Sequence, residues 1–257
     1  MTFKSINRAE TASATRLTQA FVSLELFAVY FNWALDLTQH NDDNVKFALL
    51  VTSWVVYGIF GLVLLINIFT KASATNETSA LGLNLNILHS LIPVLLLLLG
   101  DGMAPGVAIF TFLTLRLPTV VHHELLQAAD TLLLALGFYF LGHSPTLTAI
   151  PWTAAFVGIS GAWGWRILPA LLILSHLYAS TLLVCARLLI QQPVNTSLLI
   201  ATVAVRALAS SAACAILRRH LMVWKIFAPR FIFESIGFLV LLGVVSIFSF
   251  LRRRFIV

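Results

Sequence analysis

Phe47–Phe69 reads FALLVTSWVVYGIFGLVLLINIF, a run with no charged residue anywhere in it. A bilayer core is spanned by roughly 20 apolar residues of α-helix, and a surface helix of a soluble domain keeps a polar face that this run lacks. The stretch therefore predicts a transmembrane helix, and it sets the class of the whole chain. Comparable runs lie outward from it at Phe21–Leu37, Leu83–Leu99, Pro105–Val121, Leu125–Leu141, Ile167–Ile190, Ser197–Leu217 and Phe231–Leu251. Thr146–Gly164 is apolar enough to cross, but Pro151, Gly158, Gly161 and Gly164 interrupt it. It predicts either a further helix or a re-entrant segment, tolerated at membrane depth only against protein or water. The expected fold is an all-α, polytopic helical transmembrane bundle of about eight or nine spans. It occupies residues 21–251, between a polar N-terminal tail, 1–20, and a basic C-terminal tail, 252–257.

Composition points the same way. Of 257 residues, 60% are hydrophobic and 10% charged, against about a quarter charged in a soluble domain. No polar stretch is long enough for a soluble domain. The net charge of +6 comes mostly from residues beside apolar runs, which suits lipid head groups and argues against nucleic acid as a partner. Cys185 and Cys214 both fall in apolar runs and imply no disulfide framework. Residues 1–20 lack the apolar core of a signal peptide. Basic clusters at Arg218–Lys225 and Arg252–Arg254 each favour a cytoplasmic side. One predicted helix separates them, so orientation stays open, and the sequons at Asn76 and Asn195 do not decide it.

Several polar residues fall inside the apolar runs. Arg206 stands near the middle of its predicted helix, where an isolated arginine costs about 2.5–3.5 kcal/mol on insertion scales. Its expected partner is Glu25. Glu25, Asn32 and Asp36 are spaced to lie near one face of the first span. Asp101, Arg116, Asp130, Arg166 and Arg187 lie near helix ends. These residues either line a polar path or head-group pocket, or form interhelical ion pairs with snorkelling ends.

The segment RRHLMVWKIFAPRFIFE, Arg218–Glu234, differs from its surroundings. It sets Arg218, Arg219, His220, Trp224, Lys225, Arg230 and Glu234 among Leu, Ile, Met and Phe, with Pro229 in the middle. Such a segment suits the interface, its aromatic rings at the acyl boundary and its cations reaching outward. It serves as an anchor for the last helix or as a grip on lipid phosphate, which Arg and Lys bind through charge-assisted hydrogen bonds.

Metal and catalytic motifs are not legible. VVHHELLQAAD, Val120–Asp130, offers His122, His123 and Glu124. Adjacent helical residues point roughly 100° apart, no HExxH spacing follows, and zinc needs three or four converging ligands. The stretch reads as an interfacial turn. No glycine-rich phosphate loop, GxSxG elbow or paired-carboxylate arrangement occurs.

Two windows resemble a known family. FLGHSPTLTAIPWTAAFVG (Phe140–Gly158) and LRRHLMVWKIFAPRFIFESIGF (Leu217–Phe238) look like the C-terminal membrane region of the glycosylphosphatidylinositol (GPI) ethanolamine phosphate transferases. The likeness is to the type acting on the third mannose. The first window adds His143 and Trp152 to the head-group or interfacial candidates. The resemblance implies a multi-pass protein of the endoplasmic reticulum membrane. It implies phosphoethanolamine transfer from phosphatidylethanolamine to the GPI precursor, with a small multi-span stabilising subunit as partner. It also implies a luminal domain with a threonine nucleophile and two metal ions. Nothing in this sequence corresponds to that domain, so no catalytic residue carries over, zinc is expected only there, and the chain alone is expected to be inactive. Two other classes stay open. One is a structural assembly subunit; the other is a small lipid transporter or scramblase, which lacks support from any inverted repeat or paired broken helices.

Overall fold

The computed structural model describes the backbone of residues 2–38, 43–73, 77–120, 123–159, 167–190, 196–220 and 223–255. Side chains are described for residues 16–37, 43–66, 87–116, 129–159, 167–186, 197, 199–220 and 223–247. Among the described residues the structure is helical, without a strand. The helices are α1 (Thr2–Thr38), α2 (Asp43–Ser73), α3 (Glu77–Leu99), α4 (Ala104–Val120), α5 (His123–Phe140), α6 (Ile167–Leu177), α7 (Ala179–Ile190), α8 (Thr196–Ile216) and α9 (Ala228–Phe255).

Four described segments are long and apolar enough to cross a bilayer: Arg16–Leu37, Asp43–Ile66, Leu199–Ile216 and Val223–Ile247. A fifth is added if the bent pair α6–α7 counts as one span. The described apolar parts of α3 and α5, Ile87–Leu99 and Ala129–Phe140, are shorter. Among the described residues the candidate spans thus number four or five, and the eight or nine expected from the sequence are not all found among them. Helix α1 starts at Thr2, so the polar residues ahead of Phe21 continue the first helix.

The chain forms two compact units, one from Met1–Ala104 with Phe156–Arg166, the other from Pro105–Ala155 with Ile167–Phe255. In the first, α1 packs against α2 and α3. Thr18, Glu25, Ala28, Val29 and Asn32 are buried, and their spacing puts them on one face of α1. Leu24, Phe27, Tyr30 and Phe31 are exposed, which suits a lipid-facing side, since lipid tails are as apolar as the side chains themselves. Asn32 Nδ2 donates to α2, with Leu49 O at 3.1 Å, Thr52 Oγ1 at 2.6 Å and Ser53 Oγ at 3.3 Å as acceptors. Such polar contacts hold helices together where no hydrophobic difference drives association.

Residues 141–159 contain no α-helix. Two short 3-10 turns, Leu147–Ala149 and Trp152–Phe156, replace it, with extended backbone at Thr146 and Ile150. The described part of Thr146–Gly164 is therefore irregular and not a further helix. Its end docks on α2 within the first unit, where Tyr57 Oη donates to Val157 O at 3.1 Å. Gly158 adopts φ +77°, and a Cβ there would lie 2.9 Å from Ser53 Cβ. Both the backbone angle and the contact require glycine. Gly161 and Gly164 lie outside the described residues.

In the second unit the run Ile167–Ile190, expected as one span, is broken. Helices α6 and α7 meet at 78°. Tyr178 sits at the break, buried with Leu177 and Phe233, and its Oη donates to Phe233 O of α9 at 2.7 Å. Phe138 of α5 packs on this cluster, its ring centroid 5.6 Å from Phe233 and 6.3 Å from Tyr178. Two glycines set how closely the helices approach. A Cβ at Gly137 of α5 would fall 2.5 Å from Ser180 Cβ of α7, and one at Gly237 of α9 would fall 2.8 Å from Tyr178 Cε1. Small residues at helix crossings allow this proximity.

Candidate functional site

Helices α8 and α9 are joined through the basic, aromatic segment, and its form follows from its residues. Helix α8 ends at Ile216, a π turn spans Val223–Phe227, and α9 begins at Ala228 with Pro229 in its first turn. Proline is favoured there, since first-turn N–H groups have no helical partner. Arg218, Arg219, His220, Lys225 and Arg230 are exposed, and Trp224 is 75% exposed. Exposed cations and a large exposed indole thus occur together in one segment, the composition expected of a membrane interface.

Glu234 behaves differently from the rest of that segment. One helical turn beyond Arg230 on α9, it accepts a hydrogen bond from Arg206 Nη2 of α8 at 2.5 Å. The Glu234 side chain is 11% exposed and that of Arg206 29%. The arginine expected to pair with Glu25 is therefore paired with Glu234 instead. The helical register explains the choice, because α8 and α9 pack against each other and this brings the two side chains face to face.

The pair sits in the wall of a cavity of about 50 Å³. Arg230, Gly237 and Leu241 line it from α9, Val203 and Arg206 from α8, Ser180 and Thr181 from α7, and Phe138 and Tyr139 from α5. On α9 the lining positions 230, 233, 234, 237 and 241 follow the helical repeat and form one stripe. The predicted residues Arg206, Arg230 and Glu234 thus meet at one place. Ser180, Thr181 and Tyr139 carry no mark in the sequence, where hydroxyls within apolar runs give no spacing signal.

The remaining predicted residues lie elsewhere. His143 follows α5, with Nε2 3.1 Å from His176 O and its ring centroid 4.9 Å from that of His176 and 5.3 Å from that of Phe138. Burial, aided by the nearby His176, pushes the His143 imidazole down to about 4, against a smaller opposing effect of its backbone hydrogen bond. Trp152 is 62% exposed on the second 3-10 turn. Glu25 has a relative exposure of 0%, and among the described residues neither of its carboxylate oxygens has a hydrogen-bond partner. Asp36, near the end of α1, is exposed, whereas Glu25 and Asn32 on the same helix are buried. Asp101 accepts from Gly102 N at 2.8 Å, and Arg116 lies 5.6 Å from the centre of the Phe112 ring. The side chains of His122, His123, Glu124, Arg166, Arg187, Arg252–Arg254 and the sequon residues Asn76 and Asn195 lie outside the described residues. Among the described residues no three of His, Cys, Asp and Glu come together in a way that fits a metal ion.

The family described as "GPI ethanolamine phosphate transferase membrane region" matches residues 25–249. The chain belongs to this family. It is also similar to "GPI ethanolamine phosphate transferase 3, catalytic subunit" of Mus musculus, 34% identical over 170 aligned residues, covering 44% of this chain and 15% of the mouse protein. The Homo sapiens protein of the same name is 35% identical over 157 aligned residues, covering 40% of this chain and 14% of the human one. The match thus spans under a fifth of either relative. No solved structure matches the chain. Residues 25–249 contain the α8–α9 junction and the cavity, so both are features of a transferase membrane region.

Proposed function

We propose that this transferase membrane region holds lipid substrates by their phosphate head groups, at a fixed depth, for phosphoethanolamine transfer. The observation that carries this reading is the junction of α8 and α9, where Arg218, Arg219 and Lys225 are exposed beside Trp224. Arginine and lysine suit phosphate, and an exposed indole suits the head-group boundary. Fixing two lipids at one depth would turn a bimolecular encounter into a local one. The donor in this reading is phosphatidylethanolamine and the acceptor the third mannose of the GPI precursor. The setting is the endoplasmic reticulum membrane, and a small multi-span stabilising subunit docks on a bundle of eight or nine spans. The bond-making step, and any zinc it uses, is assigned outside the described residues, whose donor set does not fit a metal.

Phospholipid retention tests the reading. The purified chain should keep bound phospholipid phosphorus through extended detergent washing. Replacing Arg218, Arg219 and Lys225 together with Gln should lower that amount at least about threefold without loss of expression, because exposed substitutions leave packing alone. Equal retention by the two proteins would refute the head-group role and leave the segment as an anchor.

A further inference from the structure

The cavity walled by Arg206, Arg230 and Glu234 has a charge pattern that an anchor does not need. Arg206 donates to Glu234 Oε1 through Nη2, and a guanidinium carries five N–H donors, so most of its donors are free for another acceptor. Among the described residues Glu234 Oε2 accepts no hydrogen bond and Arg230 makes no ion pair. Two cations and one anion leave the wall with a positive balance, with donors and an acceptor bordering one space.

We propose that this cavity binds the zwitterionic head of a primary-amine phospholipid, phosphate on Arg206 and Arg230 and ammonium on Glu234. The inference rests on the lipid-holding reading above and gives it a site. Spacing supports it. Arg230 and Glu234 are one turn apart, about 6 Å along the axis, comparable to the roughly 5 Å between phosphorus and nitrogen across an ethanolamine linker. Depth supports it too, because Arg230 is exposed while Glu234 is 11% exposed. The ammonium enters first and the phosphate stays at the mouth. At 50 Å³ the space holds roughly four waters, at about 10–15 Å³ each. That accepts the charged tip of a head group and leaves glycerol and acyl chains outside. Selectivity follows from chemistry. A primary ammonium donates hydrogen bonds to a carboxylate, and a trimethylammonium has no N–H to donate.

The test uses the purified full chain in mixed micelles holding equal amounts of dioleoyl phosphatidylethanolamine and dioleoyl phosphatidylcholine, with retained lipid counted by mass spectrometry. Wild type should favour the ethanolamine lipid by about fivefold or more. Glu234→Gln should bring the ratio near one while retaining phospholipid. Arg230→Gln, an exposed change that leaves the fold intact, should lower the ethanolamine lipid retained by about fivefold, which guards against a Glu234 variant that fails to fold. Free O-phosphoethanolamine should compete, and inorganic phosphate at the same concentration should not. A wild-type ratio near one, an unchanged ratio in Glu234→Gln, or equal competition by inorganic phosphate would overturn the proposal. The two readings fail separately. Total phospholipid in the Arg218, Arg219 and Lys225 variant reports the surface grip, while the ethanolamine-to-choline ratio reports the cavity.

Discussion

Glu25 in the first unit and Glu234 in the second are both carboxylates set in apolar helices, and the structure treats them oppositely. Glu25 is fully enclosed on the packed face of α1 with no hydrogen-bond partner for either oxygen among the described residues. Glu234 is bonded to Arg206 and borders a cavity. Glycines do not follow that division, since Gly158 in the first unit is as tightly packed as Gly237 in the second, and Gly243 in the second is open, but single positions still contrast. Gly58 and Gly61 of α2 have no atom within 4 Å of where a Cβ would stand, whereas Gly137 and Gly237 sit at contacts too tight for one. The difference between the two glutamates separates a sealed carboxylate, which no ligand reaches, from a paired one whose arginine partner has donors to spare. Only the second kind can recognise a substrate.

The largest effect should come from breaking the pair. Arg206→Leu leaves Glu234 without its cation and should cost about 2–3 kcal/mol, below the ~3–5 kcal/mol of a fully buried pair because Arg206 keeps partial solvent exposure. Adding Glu234→Gln should recover part of that loss, a coupling on the order of 1 kcal/mol or more. The same measurement on Glu25→Leu should show stability unchanged or raised, since no favourable pair is lost. Thermal unfolding in detergent, compared with wild type, reads all three variants. A large loss in Glu25→Leu with none in Arg206→Leu would reverse the comparison.

Close packing offers a second contrast. Gly137→Ala forces a Cβ to within 2.5 Å of Ser180 Cβ and should destabilise by about 1–3 kcal/mol, as overpacking does. Gly58→Ala meets no atom and should stabilise by roughly 0.5–1 kcal/mol through helix propensity. Matching responses at the two sites, read from the same melting curves, would show that the close contact at Gly137 does not govern its tolerance of a Cβ.

Much of this is legible in the sequence, and the failures have physical reasons. Runs such as Phe47–Phe69 point to a helical membrane class, because the bilayer demands length and apolarity together. The exposure of Arg218, Arg219, Trp224 and Lys225 is readable because interfacial composition is local. The partner of Arg206 is not. Pairing depends on which helices pack and in what register, and the neighbours of Glu234 make it look like one more member of the basic segment. The break at Tyr178 is equally hidden, since no glycine or proline lies between Ala170 and Arg187. A tertiary hydrogen bond to Phe233 O marks it, not a local breaker.

The central claim is that the α8–α9 junction grips substrate phosphate rather than merely anchoring a helix. Its most direct test is the rate of phosphoethanolamine transfer by a full-length enzyme carrying this membrane region, with Arg218, Arg219 and Lys225 replaced by Gln. Glutamine removes the charges that strengthen phosphate contacts and keeps most of the side-chain length. The account predicts a rate lowered by about fivefold or more at unchanged expression and thermal stability, a loss of transition-state or substrate binding rather than of fold. Full activity in that variant, with Trp224→Ala alone impairing stability, would contradict it.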